Sequence, residues 1–124
     1  MKKTMKKTAE ITTDKILDSR EVEERIDELE GQEDKDEDET AELAALTAFR
    51  EEVSQYNNEW PHGVGLIRDD HFEDYAQETA EEMGDMKTSQ WPYNYIDWAR
   101  AARELQMNYS SADLMGETYW FLNT

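Results

Sequence analysis

Between Glu21 and Asp85 the chain carries 24 acidic side chains and only four basic ones, Arg25, Lys35, Arg50 and Arg68. No fold can bury so much like charge, because an ionised carboxylate taken out of water without a partner costs more than packing contributes. The stretch must therefore line surfaces, and its sparse apolar residues must seat it on something else. The means lie mostly after Tyr56, where the bulk of the 4 Trp, 6 Tyr and 3 Phe is found. A chain of 124 residues with a net charge of -18 and few aromatics would stay disordered. With this many aromatics it can build a modest core.

The same charge excludes partners. Phosphate backbones and anionic lipid repel such a protein, so neither nucleic acid nor a membrane surface is expected to bind it, and its natural partner is a basic surface. There is no cysteine, which removes disulfides and thiolate chemistry. Lys2, Lys3, Lys6 and Lys7 are followed by no apolar run, so a signal peptide is not expected, nor is a transmembrane span. A cytoplasmic protein is the expectation.

Periodicity divides the chain. Residues 1–17 show no sustained period and read as a basic flexible tail. Asp18 and Glu21 resemble a capping box, Val22, Ile26 and Leu29 follow at helical spacing, and Gly31 is a stop. Glu33 to Glu39 holds no apolar residue and reads as a loop or a solvated turn. Thr40 then caps a second helix bearing Leu43, Leu46, Phe49 or Arg50, Val53 and Tyr56, so 18–57 forms an acidic helical hairpin, with Gly31 and the polar run arguing against one long helix. Its apolar stripe can close within the chain, meet a second copy, or bind a partner helix.

From 58 to 124 a second region is expected. Val64, Leu66 and Ile67 suit a short strand after the Trp60 to Gly65 connection. Asp70 starts a helix with Phe72, Tyr75, Ala76, Thr79, Ala80 and Met83 on one face and Gly84 as its end. Asn94 caps a further helix with Tyr95, Trp98, Ala99, Ala102 and Leu105 buried, and a β-hairpin turning at Gly116-Glu117 closes the chain. The fold class is thus α+β, mostly helical: a helical hairpin, then a small domain of two helices and a C-terminal β-hairpin.

Catalytic chemistry is hard to find. There is no Gly-x-Ser-x-Gly elbow or phosphate-cradling glycine loop, and His62 and His71 read as a loop residue and a helix-start residue. Asp34, Asp36 and Asp38 have the first three spacings of a calcium loop, but Glu39 stands where glycine is needed and Ala45 where a bidentate acid is needed. Neither enzymatic activity, nor a cofactor, nor a metal site is expected.

The carboxylates form the remaining pattern. Asp69, Asp70, Glu73, Asp74, Glu78, Glu81, Glu82 and Asp85 occur with no Lys or Arg among them. On a helix most gather opposite the apolar face. Eight acids over a helical length of about 24 Å average roughly 3.4 Å apart, close to the rise per phosphate of one DNA strand. Either the face is a solvated surface that confers solubility, or it imitates a strand backbone.

Three segments add a family likeness. HFEDYAQETAEEMGDM (His71 to Met86), YIDWARAARELQMNY (Tyr95 to Tyr109) and ETYWF (Glu117 to Phe121) together resemble the last domain of the ArdA family of antirestriction proteins. The likeness covers residues 59–124, and the Ile96-Asp97-Trp98 to Leu105 stretch is its most specific part. It implies a DNA mimic from a phage or mobile element, an elongated homodimer acting in the host cytoplasm, that occupies the DNA-binding groove of a restriction-modification enzyme. The acids from Asp69 to Asp85 become phosphate surrogates, held by Tyr75, Trp98 and Leu105, with Asp97 serving its own helix start. The two domains that precede this one in the family are replaced here by the Glu21 to Tyr56 helices, so another basic DNA-binding defence or repair enzyme suits the charge equally. The alternative is a non-enzymatic adaptor that binds through its amphipathic hairpin.

Overall fold

A computed structural model describes residues 15–84 and 87–124. The elements run β1 (Ile16–Asp18), α1 (Ser19–Glu30), α2 (Glu37–Tyr56), β2 (Gly65–Arg68), α3 (Phe72–Gly84), α4 (Trp98–Leu105), β3 (Tyr109–Leu114) and β4 (Glu117–Leu122), with single 3-10 turns between several of them. The fold mixes helix and sheet. Among the described residues the four strands form one antiparallel sheet in the order β1-β2-β4-β3.

Strand alternation gives this sheet two apolar faces. Leu66, Ala112, Leu114, Tyr119 and Phe121 point to one face and pack with Leu17, Val22, Ile26, Leu29, Leu46, Phe49 and Val53. Ile67 points to the other, where Phe72, Ala76 and Ala102 meet Tyr75, Leu105, Tyr109 and Trp120. The sheet therefore lies between two helical layers, α1 with α2 on one side and α3 with α4 on the other. Phe49 sits at the centre of the first layer, edge-on to Trp60 at 6.2 Å and to Tyr119 at 6.0 Å.

This arrangement settles where the hairpin's apolar stripe goes. Val22, Ile26, Leu29, Leu46 and Val53 are fully buried within the chain, so they carry its core and are not a face for a second copy. Each such side chain contributes roughly 1.5–3 kcal/mol by leaving water. The segments 18–57 and 58–124 consequently share one core. Polar contacts reinforce the join: Ser19 Oγ donates to the Trp60 carbonyl at 2.8 Å and accepts from Val64 N–H at 2.7 Å, and Asn57 Nδ2 donates to the Leu122 carbonyl at 2.8 Å.

Some of the acidic stretch is neutralised inside this layer. Arg25, 3% exposed, makes a bidentate pair with Glu42 at 2.7 and 2.8 Å and contacts Glu28 at 2.9 Å. Arg50 pairs with Glu23 at 3.0 Å, and Trp60 Nε1 donates to the same carboxylate. Both arginines link α1 to α2, so Glu23 and Glu42 act in holding the hairpin together, while Glu28 pairs with Arg25 within α1.

Local expectations are corrected at several points. Residues 1–14 of the expected tail lie outside the described residues, but Ile16 and Leu17 belong to β1, and Leu17 is buried against the sheet. Helix α1 begins on Asp18, whose carboxylate accepts from Arg20 N–H and the Arg20 guanidinium, not from the N–H of Glu21. Helix α2 starts at Glu37 and not after Thr40, because Asp36 and Glu39 form a reciprocal capping box and the acids of the first turn lie on the favourable end of the helix dipole. Helix α4 is capped by Asp97, accepting from Arg100 N–H, and not by Asn94. The β3–β4 turn is Met115-Gly116, with φ of +49° and +89°, a type I′ geometry one residue earlier than expected.

Candidate anionic interface

Helix α3 is mounted on an aromatic platform. Phe72 stacks edge-on against Tyr109 at 5.2 Å and Trp120 at 6.1 Å, and lies 5.6 Å from Tyr75. The Tyr75 and Tyr109 hydroxyls are 3.2 Å apart, and burial, aided by that contact, pushes the Tyr109 phenol well above its ordinary range. Of the three residues expected to hold the helix, Tyr75 and Leu105 do so. Trp98 is half-buried and lies outside this cluster. Met83 and Tyr95, placed on buried faces by periodicity, are 83% and 78% exposed. Both lie at helix margins where the packed face has run out.

The eight predicted carboxylates have different surroundings. Asp69 and Asp70 lie in a 3-10 turn before α3 and not on the helix itself. Asp69 accepts from Trp120 Nε1 at 2.8 Å. Asp70 is bound by the Arg68 guanidinium at 2.7 and 2.9 Å, and that hydrogen-bonded pair holds its carboxyl below the usual range. It is therefore an ion-paired side chain in the 3-10 turn, and α3 begins two residues later than expected, at Phe72. Asp74 lies 3.8 Å from Nδ1 of the buried His71. Glu81 is half-buried and accepts from the Thr88 hydroxyl, which in turn accepts from Gln77 Nε2 at 2.7 Å. Asp85 lies outside the described residues.

What stays open to solvent is narrower than the sequence pattern. Glu73, Asp74, Glu78 and Glu82 are exposed, and Glu73, Glu78 and Glu82 have no ion pair or hydrogen bond among the described residues. Asp74, Glu78 and Glu82 form one ridge at i, i+4, i+8. Their repeat of about 6 Å is near the roughly 6.8 Å axial rise of two successive phosphates of a strand. The ridge is fixed by the Phe72 platform below and by Thr88 beside it, so it has a set geometry.

The residues that modify the pattern are ones that periodicity misses. Arg68 reaches Asp70 because β2 ends at Arg68 and the chain turns at once into the 3-10 segment 69–71, a local geometry that helical period does not report. Trp120 reaches Asp69 because β4 lies beside β2, with Ile67 opposite Trp120. No local signal reports that neighbourhood. Further exposed acids, Glu24, Asp27, Glu30, Glu51 and Glu52, lie on α1 and α2, across the sheet from the α3 ridge.

Among the described residues no group of three or more His, Asp or Glu side chains could hold a metal ion, and no helix is long and apolar enough to cross a membrane. Asp36 of the calcium-loop-like run instead caps α2. In comparison with known proteins, no family model, no curated protein and no solved structure matches this chain.

Proposed function

We propose that this protein is a DNA mimic, encoded by a phage or mobile element, that occupies the DNA-binding site of a host restriction-modification or other DNA-binding defence enzyme. The observation that supports the reading best is the exposed, lysine-free ridge of Asp74, Glu78 and Glu82, with the exposed Glu73 beside its start, on a helix held by its aromatic platform. An ordinary surface helix intersperses cations, since like charges one turn apart cost about 0.2–0.5 kcal/mol per pair. A ridge that keeps this repulsion suits a surface that meets cations supplied by a partner. The resemblance of residues 59–124 to the last ArdA domain supports the same reading.

The mechanism requires no chemical step. A groove lined by Lys and Arg to hold phosphates accepts carboxylates at related spacing, and binding is steered by the long-range field of a net charge of -18. The target is spared the cost of deforming a duplex, because the ridge is already shaped. The adaptor alternative has less support, because the apolar positions it would present are buried in the chain's own core.

Affinity for a purified type I restriction-modification complex provides the test. Mimicry predicts binding that weakens steeply from low to moderate salt, with Glu78→Gln alone reducing it slightly and combined neutralisation of Glu73, Asp74, Glu78 and Glu82 abolishing it. Binding that is insensitive to salt, or lost entirely with one substitution, argues against the ridge acting as a set of phosphate surrogates.

A further inference from the structure

Between α3 and α4 the chain exposes a run of apolar rings. Trp91 is 76% exposed, Tyr95 78%, Tyr93 40% and Ile96 36%, all within six residues. Single exposed apolar residues are ordinary, whereas a cluster rimmed by polar groups marks a contact surface. This segment is also held in place. Backbone N–H groups of Gln90, Asn94, Tyr95 and Ile96 donate to the carbonyls of Lys87, Gln90, Pro92 and Tyr93 at 3.0–3.2 Å. The buried Thr88 ties its start to Gln77 and Glu81 of α3, and Asp97 fixes its end as the α4 cap.

The surroundings indicate what covers the rings. The Thr88 anchor reaches α3 at Glu81, between the exposed Glu78 and Glu82, while the nearest cations in sequence, Lys87 and Arg100, lie on the flanks. A second copy of the chain would bring a further net charge of -18, so charge complementarity favours a cationic occupant. Among cations, arginine suits aromatic rings best, being planar, weakly hydrated and able to stack while its N–H groups reach carboxylates.

We propose that Trp91, Tyr93 and Tyr95 form a docking surface for arginine side chains of a basic protein partner, in the anionic field of Glu78 and Glu82 on the helix to which Thr88 ties this segment. The surface extends the α3 ridge and rests on the reading that the ridge receives a basic protein. It gives binding a component that depends on the kind of cation as well as on charge. Lysine, compact and strongly hydrated, gains less from the rings.

Calorimetric titration of the full chain with nona-arginine and nona-lysine at low salt tests this. The wild type should bind nona-arginine about tenfold more tightly than nona-lysine, as expected from two or three exposed cation–π contacts. Trp91→Ala/Tyr95→Ala should bring that ratio close to the value for carboxylates alone by weakening nona-arginine much more than nona-lysine, with circular dichroism reporting an intact fold. Glu78→Gln/Glu82→Gln should weaken both peptides in parallel. An arginine preference that survives Trp91→Ala/Tyr95→Ala overturns the aromatic surface while leaving the ridge standing. Equal, undiminished binding after Glu78→Gln/Glu82→Gln overturns the ridge itself. Self-association of the wild type that is abolished by Trp91→Ala/Tyr95→Ala assigns the rings to a second copy and also overturns the proposal.

Discussion

Replacing Glu78 by lysine should make this protein more stable and, under the mimic reading, a weaker binder of its target. Glu78 stands one helical turn from both Asp74 and Glu82, and all three are exposed. Like charges at this spacing cost about 0.2–0.5 kcal/mol per pair, so Glu78→Gln should relieve roughly 0.4–1 kcal/mol. Glu78→Lys also creates attraction to Asp74 in the better orientation and to Glu82 in the weaker one, for a gain near 1 kcal/mol given the exposure of the ridge. For a chain of this size that is a rise in Tm of about 3–5 °C. Thermal unfolding by circular dichroism at low salt and again near 1 M salt provides the assay. At about 1 M the Debye length falls to roughly 3 Å, and most of the gain should vanish. A gain unaffected by salt, or no gain at low salt, refutes the claim that the ridge stands under its own repulsion.

Other expectations follow from the same packing. Glu42→Ala removes two charge-assisted hydrogen bonds from the buried Arg25 but leaves it Glu28 as an ion-pair partner, and should cost about 2–3 kcal/mol in urea unfolding. Phe72→Ala removes the ring on which α3 sits, and a loss of about 3–5 kcal/mol with a weakened near-ultraviolet signal from Trp120 is expected. Asp18 is held below its ordinary value of 3.8 by the hydrogen-bonded Arg20 guanidinium, so its contribution is complete above that pH and is lost as pH falls through the lowered value. The stability difference between wild type and Asp18→Asn should accordingly be constant above about pH 5 and shrink on acidification, as pH-dependent urea curves can show.

How much was legible depends on how local each signal is. The faces of α1 and α3 were readable because Val22, Ile26 and Leu29, and Phe72, Tyr75 and Ala76, repeat at helical period within one segment. β1 was not, since three residues make no period and Leu17 is in a strand only because Leu66 lies opposite it. Most of β3 was also missed: Ala112 and Leu114 face the core while Ser111 and Asp113 face outward, and this weak alternation gains meaning only beside β4. The start of α2 was misplaced although Asp36 and Glu39 carry a capping-box spacing, because a run of acids reads as a solvated loop when its dipole benefit is overlooked. On α3 and the turn before it, the acids were visible as a set, but their division into paired and open members depended on Arg68, Trp120 and Thr88, which a tight local turn, strand order and a loop bring to them.

If the α3 ridge takes the place of a DNA strand, this protein and a duplex compete for one site on the target. A purified type I restriction-modification complex is saturated with this protein and titrated with duplex DNA carrying its recognition site, while both bound species are followed by fluorescence anisotropy. Mimicry predicts mutual exclusion, with each ligand displacing the other completely and with the variant whose Glu73, Asp74, Glu78 and Glu82 are neutralised together to Gln or Asn no longer competing. A stable ternary complex of enzyme, DNA and this protein would contradict it.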